Sequence, residues 1–444
     1  MSMLPRIDCE GFHRRDFLKI GTGAGLLGLS LPDLLRLEAQ SASTTGAAKR
    51  AHAVIMVWLA GGPATIDMWD LKPDAPEGIR GDFKVIETRA KGVQISEHMP
   101  KLAGVADRVT LVRSLQHSIP AHGPATVFMT TGNKPTPAIQ YPSLGSLASK
   151  LLPADKAVPS YVSFSDIRGG TAGQAGYLGT AHNPFLVEGN GAGGKGGSKL
   201  SVRGLQLPAE FGVRELENRE KFLNGIDGSF RKFDGSTDLV DGMEAFHKQA
   251  LDILRSDKTK KAFDLDREPA RLRERYGNNN FGTSALAARR LVEAGVRFIT
   301  ISLGGWDTHG KNFESLAKKL LPQLDVALAA LLVDLDERGM LDRTLVYCAG
   351  EFGRTPKINK NAGRDHWARS MAVLLAGGGL KRGYVYGSTD PEGMAPATNP
   401  CTPDDVSSTL FHCLGIDPHK ELTSPTGRPI QLFREGAVIE NILA

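Results

Sequence analysis

Continuous apolar runs recur along the chain, and they predict strands that are buried on both faces. The first run covers residues 53–60 (AVIMVWLA) and is followed by Gly61, Gly62 and Pro63. Further runs lie at 109–112, 161–164, 296–303, 344–349 and 371–376. Helical periodicity separates the later runs, at 284–294, 313–338 and 403–414. This alternation predicts an α/β fold with a mostly parallel central sheet and helices on both of its faces.

The middle of the chain has a different pattern. Residues 183–203 include the run GNGAGGKGGSK, and polar, helix-like sequence continues to residue 276. The run lacks the GxxxxGK[ST] spacing of a phosphate-binding loop and no strand leads into it, so we interpret it as a linker. We predict a Gly-rich loop and a largely helical insertion over residues 183–282, within one α/β domain that covers residues 44–444.

The first 43 residues resemble a twin-arginine export signal. Arg14 and Arg15 precede an apolar run at 20–31, and small residues follow at 39–43. The run is shorter than the roughly 20 residues that span a bilayer, so no stable membrane span is expected. The resemblance implies the twin-arginine export machinery as a partner and a periplasmic or extracellular location. An amphipathic N-terminal helix of a cytoplasmic protein is the alternative interpretation.

Charge and cysteine content exclude two classes of protein. The chain of 444 residues has 54 Lys and Arg against 49 Asp and Glu, which gives a net charge of +5. These positive charges form no basic run, so nucleic-acid binding is not expected. Beyond the predicted signal, Cys348, Cys401 and Cys413 have no CxxC spacing. No disulfide framework is therefore predicted, and a pairing of Cys401 with Cys413 stays open.

Carboxylates and imidazoles follow several of the predicted strands. The candidate residues are Asp67, His117, His122, Asp307, His309, Glu351, Arg354, Asp365 and His366. Oxygen and nitrogen ligands of this kind bind Zn, Mn, Mg or Ca. Loops at the carboxyl ends of parallel strands meet at one edge of a sheet, so these side chains predict an open divalent-metal site there. Each of them alone is also typical of a helix cap or a turn.

Three segments resemble a family of exported proteins of unknown function called DUF1501. They are GGPATIDMWDLKP, LVEAGVRFITISLGGWDTHGKNF and GEFGRTPKINKNAGRDHW. That family is assigned to the alkaline phosphatase/sulfatase superfamily, so the resemblance implies an alkaline phosphatase-like fold with one or two divalent metals beside a Ser, Thr or formylglycine nucleophile. By position, Asp307 and His309 resemble the metal-binding Asp and His after a middle strand. His366 resembles the late metal-binding His, and Glu351 stands where the superfamily has an Asp-His pair.

The nucleophile motif departs from the superfamily pattern. Residues 122–126 (HGPAT) are similar in spacing to the sulfatase C/S-x-P-S-R motif, but His122 stands at the position of the nucleophile and Thr126 at that of the arginine. A phosphoseryl or formylglycine mechanism is therefore not expected. Nearby hydroxyls belong to Thr65, Ser118 and Thr126, and nothing in the sequence singles one of them out.

These features together predict an exported, metal-dependent hydrolase that acts on a phosphate or sulfate ester of a small molecule or glycan. The expected metal ligands are Asp67, Asp307, His309, Glu351, Asp365 and His366. His117 or His122 is expected to act as a ligand or general base, and Arg354 to neutralise the anionic group. Water activated by the metal is the expected nucleophile. The alternative is a non-catalytic protein that binds an anionic ligand or glycan on the same fold.

Overall fold

The computed structural model describes residues 50–152, 157–165, 167, 173–189, 200–201 and 256–444. The predicted export signal at 1–43 lies outside the described residues. Of the predicted insertion at 183–282, only residues 183–189, 200–201 and 256–282 are described.

The strands are short except for those that form the middle of the main sheet. In chain order they are β1 (Ala53–Ala60), β2 (Val85–Glu87), β3 (Gln94–Ser96), β4 (Val109–Leu115), β5 (Tyr161–Ser163), β6 (Phe185–Leu186), β7 (Glu188–Gly189), β8 (Leu200–Ser201), β9 (Phe298–Gly304), β10 (Thr344–Ala349), β11 (Gly353–Arg354), β12 (His366–Trp367), β13 (Met371–Ala376), β14 (Tyr384–Tyr386), β15 (Ser388–Thr389), β16 (Pro396–Thr398), β17 (Glu421–Thr423) and β18 (Pro429–Gln431).

Eight of these strands form one mixed sheet, in the order β14-β4-β13-β10-β1-β9-β5-β6. β1 pairs in parallel with both β10 and β9, and β5 continues the parallel set beyond β9. β13 is antiparallel to both of its neighbours, β10 and β4. The prediction of a mostly parallel sheet is therefore confirmed, with β13 as the strand of this sheet that runs the other way.

Apolar side chains cover both faces of the central strand β1. Ile55 and Leu59 pack in one apolar layer, and Val54 and Trp58 pack in a second layer on the opposite face. A strand alternates its side chains between the two faces, so burial on both sides requires the continuous apolar run seen in the sequence. Two apolar layers also confirm that the sheet has helices on both sides.

The helices are α1 (Pro100–Ala103), α2 (His122–Thr131), α3 (Leu144–Leu151), α4 (Asp257–Phe263), α5 (Ala270–Tyr276), α6 (Asn280–Glu293), α7 (Asn312–Ser315), α8 (Leu321–Glu337) and α9 (Pro403–Cys413). α6 and α8 supply the first apolar layer, and α3 and α9 supply the second. Among the helices that the structure describes, none is both long enough and apolar enough to cross a membrane.

The helix predicted at 313–338 is divided by a wider turn. α7 leads into a π-helical turn at Leu316–Leu320, which continues as α8. Pro322, at the start of α8, has no N–H to donate, and its ring crowds the carbonyl four residues earlier. A wider turn before it relieves this crowding, which explains why one helical pattern in the sequence gives three helical segments.

A group of charged side chains, some fully buried and some partly exposed, lies between α6 and α8. The Arg289 guanidinium of α6 forms ion pairs with Glu268 at 2.7 Å, with Asp334 of α8 at 2.8 Å and with Glu293 at 2.7 Å. Two further arginines contact the same carboxylates. We call this group the helical ion cluster; it consists of Arg289, Arg290, Arg338, Glu268, Glu293 and Asp334. Three cations face three anions in it, so the group is neutral within itself.

One edge of the sheet gathers the loops that carry the candidate chemistry. β1, β9 and β10 are adjacent and parallel, and they end at Ala60, Gly304 and Ala349. The chain leaves β4 for α2 at the same edge, because β4 runs parallel to them across β13. β11 and β12 form a small antiparallel pair before β13 begins. The loops after these strands therefore converge, as expected for an open α/β sheet.

Candidate metal centre

Four side chains converge at this edge of the sheet. His122 is the first residue of α2, Asp307 and His309 follow β9, and His366 begins β12. The Asp307 Oδ1 atom lies 3.1 Å from His309 Nε2 and 3.3 Å from His366 Nε2. The Asp307 Oδ2 atom lies 3.3 Å from His122 Nε2, and the Nε2 atoms of His309 and His366 are 3.0 Å apart. We call these four residues the histidine cluster.

The spacing of these atoms matches the ligand shell of a small divalent cation. A tetrahedral zinc ion with ligands at about 2.0–2.1 Å places those ligands about 3.3 Å from one another. Four distances within the histidine cluster are 3.0–3.3 Å. His122, Asp307 and His366 together form a group that could hold a metal ion, with donor atoms within 4.8 Å of one another. His309 Nε2 lies beside two members of this group, Asp307 and His366.

Each imidazole is held through its other nitrogen. His122 Nδ1 lies 2.6 Å from Glu351 Oε1, and His309 Nδ1 lies 2.6 Å from Asp365 Oδ1. His366 Nδ1 lies 2.8 Å from the Pro120 carbonyl oxygen. A carbonyl only accepts hydrogen bonds, and a carboxylate facing an imidazole Nδ1 acts as the acceptor, so each Nδ1 donates and each Nε2 faces the centre. Carboxylates and carbonyls that orient histidines in this way are typical of metal sites.

Two observations fit a cation bound within this donor set. The Nε2 atom of His122 is buried and has no hydrogen-bond partner among the described residues. A buried polar atom without a partner is costly, and the Nε2 atoms of His309 and His366 face each other at 3.0 Å. A divalent cation bound between these atoms satisfies all of them at once. The residues present therefore fit such an ion.

Arg354 keeps the Asp307 carboxylate ionised. Its Nη2 donates to Asp307 Oδ1 at 2.5 Å. Burial opposes ionisation of Asp307, but the hydrogen bond and the charge of Arg354 outweigh it and hold the pKa of this carboxyl well below its usual range. The remaining contacts of Arg354 are with main-chain carbonyls: Nε donates to Gly62 at 2.7 Å, Nη1 to Arg364 at 3.1 Å and Nη2 to Gly61.

The local backbone explains how Asp307 comes so close to the end of β1. The Trp306 N–H donates to the Ala60 carbonyl at 3.2 Å, which ties the loop after β9 to β1. Gly61 has a φ of +119°, and a Cβ atom on it would lie 2.5 Å from the Asp307 nitrogen. Only glycine permits both this conformation and this close approach. The backbone geometry of the site thus requires the Gly-Gly pair after β1.

Glu351 and Asp365 contact histidines of the histidine cluster on the side away from its centre. Glu351 is fully buried and, besides His122, accepts from the Gly61 N–H at 3.1 Å. Asp365 accepts from Asn359 Nδ2 at 3.3 Å as well as from His309. The hydrogen bond from His309 is the main cause that lowers the pKa of Asp365. The structure therefore brings both predicted ligands to the site in contact with histidine Nδ1 atoms.

The structure does not bring Asp67 to the histidine cluster. Its carboxylate accepts two hydrogen bonds from Arg364, Nε to Oδ2 at 2.7 Å and Nη2 to Oδ1 at 2.8 Å. Asn312 Nδ2 donates to Oδ2 at 2.8 Å. Asp67 and Arg364 are both buried, so this bidentate pair braces three loops. Its oxygen atoms are occupied by these donors, in place of the metal contact expected from the sequence.

His117 is also engaged away from the cluster. Its Nε2 donates to the Glu351 carbonyl at 2.8 Å, and its Nδ1 accepts from the Ile119 N–H at 3.2 Å. Burial lowers the pKa of His117, which keeps the ring neutral. Both ring nitrogens are used by main-chain groups. His117 therefore supports the loop of Glu351, and its contacts leave no nitrogen for the ligand or base role expected from the sequence.

Two of the three hydroxyls considered as nucleophiles are occupied as well. Thr126 Oγ1 donates to the His122 carbonyl at 2.7 Å within α2. Thr65 Oγ1 accepts from the Ala372 N–H at 3.1 Å.

Sequence reasoning did not identify Arg364 as a supporting residue. Its guanidinium reaches Asp67 and the carbonyls of Thr355, Pro356 and Ile79. The available signal was its place directly before the predicted ligands Asp365 and His366. That position alone does not distinguish a buried brace from an exposed arginine.

The described residues thus form an α/β protein with a candidate metal centre at one edge of a mixed sheet. The chain belongs to the family described as "Protein of unknown function (DUF1501)", whose profile matches residues 51–443. No curated protein matches the chain.

Solved structures with a similar fold include three enzymes at low sequence identity. A sulfatase from Pseudoalteromonas sp. is 14% identical, with a TM-score of 0.37, and the match covers 87% of this chain and 72% of that chain. The alkaline phosphatase of the Antarctic bacterium TAB5 is 11% identical, with a TM-score of 0.37 and coverage of 82% and 99%. The lipoteichoic acid synthase LtaP from Listeria monocytogenes is 11% identical, with a TM-score of 0.35 and coverage of 88% and 76%.

Proposed function

We propose that this protein is a metal-dependent hydrolase that acts on a phosphate or sulfate ester of a small molecule or glycan. The observation that carries the proposal is the convergence of three imidazole Nε2 atoms on the Asp307 carboxylate, with a buried Nε2 of His122 that lacks a partner among the described residues. Imidazole nitrogens beside a carboxylate oxygen favour Zn²⁺ over Mg²⁺ and Ca²⁺.

Each residue of the centre has a distinct task in this proposal. His122, His309, His366 and Asp307 hold the cation. Glu351 and Asp365 fix the orientation of two of the rings, and Arg354 keeps Asp307 ionised. When bound, the cation supplies positive charge that polarises an ester oxygen and acidifies a water molecule.

An ester can reach this centre from one side. The side chains of Asp307 and His309 are 46% and 47% exposed, whereas that of His122 is only 16% exposed. The ester therefore approaches over Asp307 and His309, where a bound cation would polarise it. The hydroxyls of Thr65 and Thr126 are engaged in other hydrogen bonds. Ser118, the third hydroxyl considered, is exposed. We assign the nucleophile to water, as the sequence predicts.

Metal analysis of single-site variants tests the proposal. The full chain is purified without chelator, and its metal content and its activity on aryl phosphates and aryl sulfates are measured. We expect about one equivalent of zinc in the unchanged protein. His122→Ala and His366→Ala should lose both metal and activity, whereas the exposed control His419→Ala should keep both. Absence of bound metal together with absence of stabilisation by added metal would overturn the proposal.

A non-catalytic binding protein is a second candidate because four protein donors surround the centre. Four-coordinate zinc sites with protein ligands only are typically structural, whereas catalytic sites keep a position open. Stoichiometric metal without turnover of any ester in the panel would support this candidate, with an anionic ligand or glycan bound at the exposed side.

We further propose export through the twin-arginine machinery to the periplasm or the extracellular space. Arg14, Arg15 and the short apolar run after them support this proposal. Replacing both arginines by lysine should leave the precursor in the cytoplasm. Unchanged export of this variant would contradict the proposal.

A further inference from the structure

The charges at the candidate metal centre nearly cancel once a divalent cation is bound. Three carboxylates touch the histidine cluster or its rings: Asp307, Glu351 and Asp365. Arg354 forms an ion pair with Asp307 of this set. The three imidazoles donate through Nδ1 and bind through Nε2, so they are neutral in the metal-bound state. Three negative charges are therefore balanced by one guanidinium and a divalent ion.

Arg354 is not available to receive a substrate anion. Its side chain is fully buried. Nε, Nη1 and Nη2 donate to three main-chain carbonyls and to Asp307. An arginine binds a substrate oxyanion most strongly and specifically when two parallel N–H groups face it. The contacts of Arg354 leave no such pair, so its charge serves Asp307.

Arg364 is committed in the same way. Its side chain is buried, and Nε and Nη2 hold both oxygens of Asp67. This pair is neutral within itself and contributes no net positive charge to the centre. Both buried arginines of the GEFGRTP and GRDHW segments thus compensate carboxylates of the protein.

We infer that the ester group hydrolysed at this centre carries a single negative charge, as in a phosphodiester or a sulfate monoester, and that a dianionic phosphate monoester is a poor substrate. This inference rests on the proposed hydrolase function. A centre with no net charge can bind one negative charge of the ester through its cation. A second negative charge on the ester would lie near Asp307 and Asp365 without a further cation to balance it. Like charges a few ångströms apart repel strongly in a partly buried site.

The reaction balances for both members of this class. The oxygen of one water molecule forms a bond to phosphorus or sulfur, and the bond from that atom to the ester oxygen breaks. The ester oxygen leaves with the bonding electrons and takes up one proton of the water. The other proton stays on the phosphate or sulfate product or is released to solvent, according to the acidity of that product.

A set of esters with one leaving group tests the inference on the zinc-reconstituted full chain. The substrates are methyl para-nitrophenyl phosphate, para-nitrophenyl sulfate and para-nitrophenyl phosphate. At pH 8 the last is a dianion, because its second ionisation lies near pH 6. Rates are compared as enhancements of kcat/KM over the uncatalysed reaction. We expect at least one of the two monoanions to exceed the dianion by more than about tenfold.

Removing one carboxylate charge should reduce this preference. Asp365→Asn keeps the shape of the side chain but removes its charge, so the ratio of monoanion to dianion rates should fall by about tenfold. Asp342→Asn is the matched control, because Asp342 is exposed and pairs with Arg382 before β10. Rates are expressed per bound zinc, and Glu351→Gln provides a second charge-removing variant.

The outcomes separate this inference from the function on which it rests. A preference for a monoanion that weakens in Asp365→Asn but not in Asp342→Asn supports it, and the better monoanion identifies the phosphodiester or the sulfate. Turnover with the dianionic monoester preferred overturns the inference and leaves the hydrolase proposal intact. Bound zinc without turnover of any of the three esters overturns both.

Discussion

The chain contains two dense groups of charged and titratable side chains, and they differ in one respect. The helical ion cluster matches each carboxylate with an arginine, and Arg289 alone contacts three of them. The histidine cluster instead turns three imidazole nitrogens toward one carboxylate. The first group balances its charges within itself, whereas the second presents donor atoms that could hold a cation from outside.

This difference separates a structural role from a ligand-binding role without reference to any relative. Buried charges that neutralise one another fix the packing of helices, and removing one partner leaves the other uncompensated. Buried nitrogen and oxygen atoms that can bind a metal but lack a hydrogen-bond partner are costly in the folded protein. We therefore expect variants of the helical ion cluster to change stability and variants of the histidine cluster to change metal binding.

The largest expected effect is on stability, from Arg289→Met. This change removes the central cation of the helical ion cluster and should lower the free energy of unfolding by about 3–5 kcal/mol, because the buried Glu268 and Asp334 lose their shared buried cation and keep only Arg290 and Arg338. Urea unfolding of the metal-free protein measures it. Arg273→Met, which breaks an exposed pair with Asp266, should cost no more than about 1 kcal/mol. Loss of zinc from folded Arg289→Met protein would break the distinction between the two groups.

Metal removal should give an effect of similar size through the histidine cluster. At a free zinc concentration about 1,000 times the dissociation constant, binding stabilises the folded state by about 4 kcal/mol. Chelation should therefore lower the melting temperature, and added zinc should restore it. His309→Ala should abolish this response, while Arg289→Met should retain it at a lower starting temperature. A melting temperature of the unchanged protein that does not respond to zinc would contradict the assignment.

A smaller effect on metal affinity is expected from changing a residue that orients one of the ligand histidines. Glu351→Gln keeps an acceptor for the Gly61 N–H but removes the charge that orients His122. Metal affinity should fall by about 10–100-fold, as for other changes to residues that orient metal-bound histidines. Competition with a chromogenic chelator measures the affinity. Glu314→Gln, which affects an exposed pair with Lys318, is the control and should leave the affinity unchanged.

The smallest effect concerns a partly exposed carboxylate between two arginines. Asp336 lies 2.8 Å from Arg108 and 3.0 Å from Arg382. Burial opposes its ionisation, but the hydrogen bonds from Arg108 and Arg382 hold its pKa below the usual range. A carboxyl whose pKa is lowered in the folded state stabilises the fold above its unfolded pKa, and this contribution is lost as pH falls through the folded value.

Asp336→Asn should therefore lower the free energy of unfolding at pH 7 by less than about 1 kcal/mol, since solvent screens the pair. The difference between the variant and the unchanged protein should shrink as the pH is lowered below about 4, and it should also shrink in high salt. Denaturant unfolding across this pH range measures both. A difference that grows toward acid pH would contradict the assigned direction of the pKa.

The sequence was sufficient to predict the central strands of the sheet, because that prediction depends only on continuous runs of apolar residues. The runs at 53–60, 344–349 and 371–376 coincide with β1, β10 and β13, since a strand buried on both faces must be apolar throughout. The sequence did not reveal that β13 runs antiparallel. Direction depends on the path of the chain between strands, and the apolar pattern of a buried strand is the same in both directions.

The candidate site was predictable as a set of residue types but not as a set of roles. Asp365 and His366 are neighbours in sequence, yet His366 presents Nε2 to the centre and Asp365 holds the ring of His309. Asp67 pairs with Arg364, which is 297 residues away along the chain. Distances of about 3 Å decide between ligand, brace and orienting group, and such distances follow from the folded chain rather than from motif spacing.

The two buried arginines give the centre an uneven tolerance to mutation. Arg354 and Arg364 hydrogen-bond to the main-chain carbonyls of Gly61, Gly62, Thr355, Pro356 and Ile79. A main-chain carbonyl is present whatever side chain its residue carries, so most substitutions at Thr355, Pro356 or Ile79 leave these hydrogen bonds in place. Substituting either arginine removes several loop attachments at once. A randomised library of these loops should therefore accept many residues at Thr355 and Ile79 and almost none at Arg354 and Arg364.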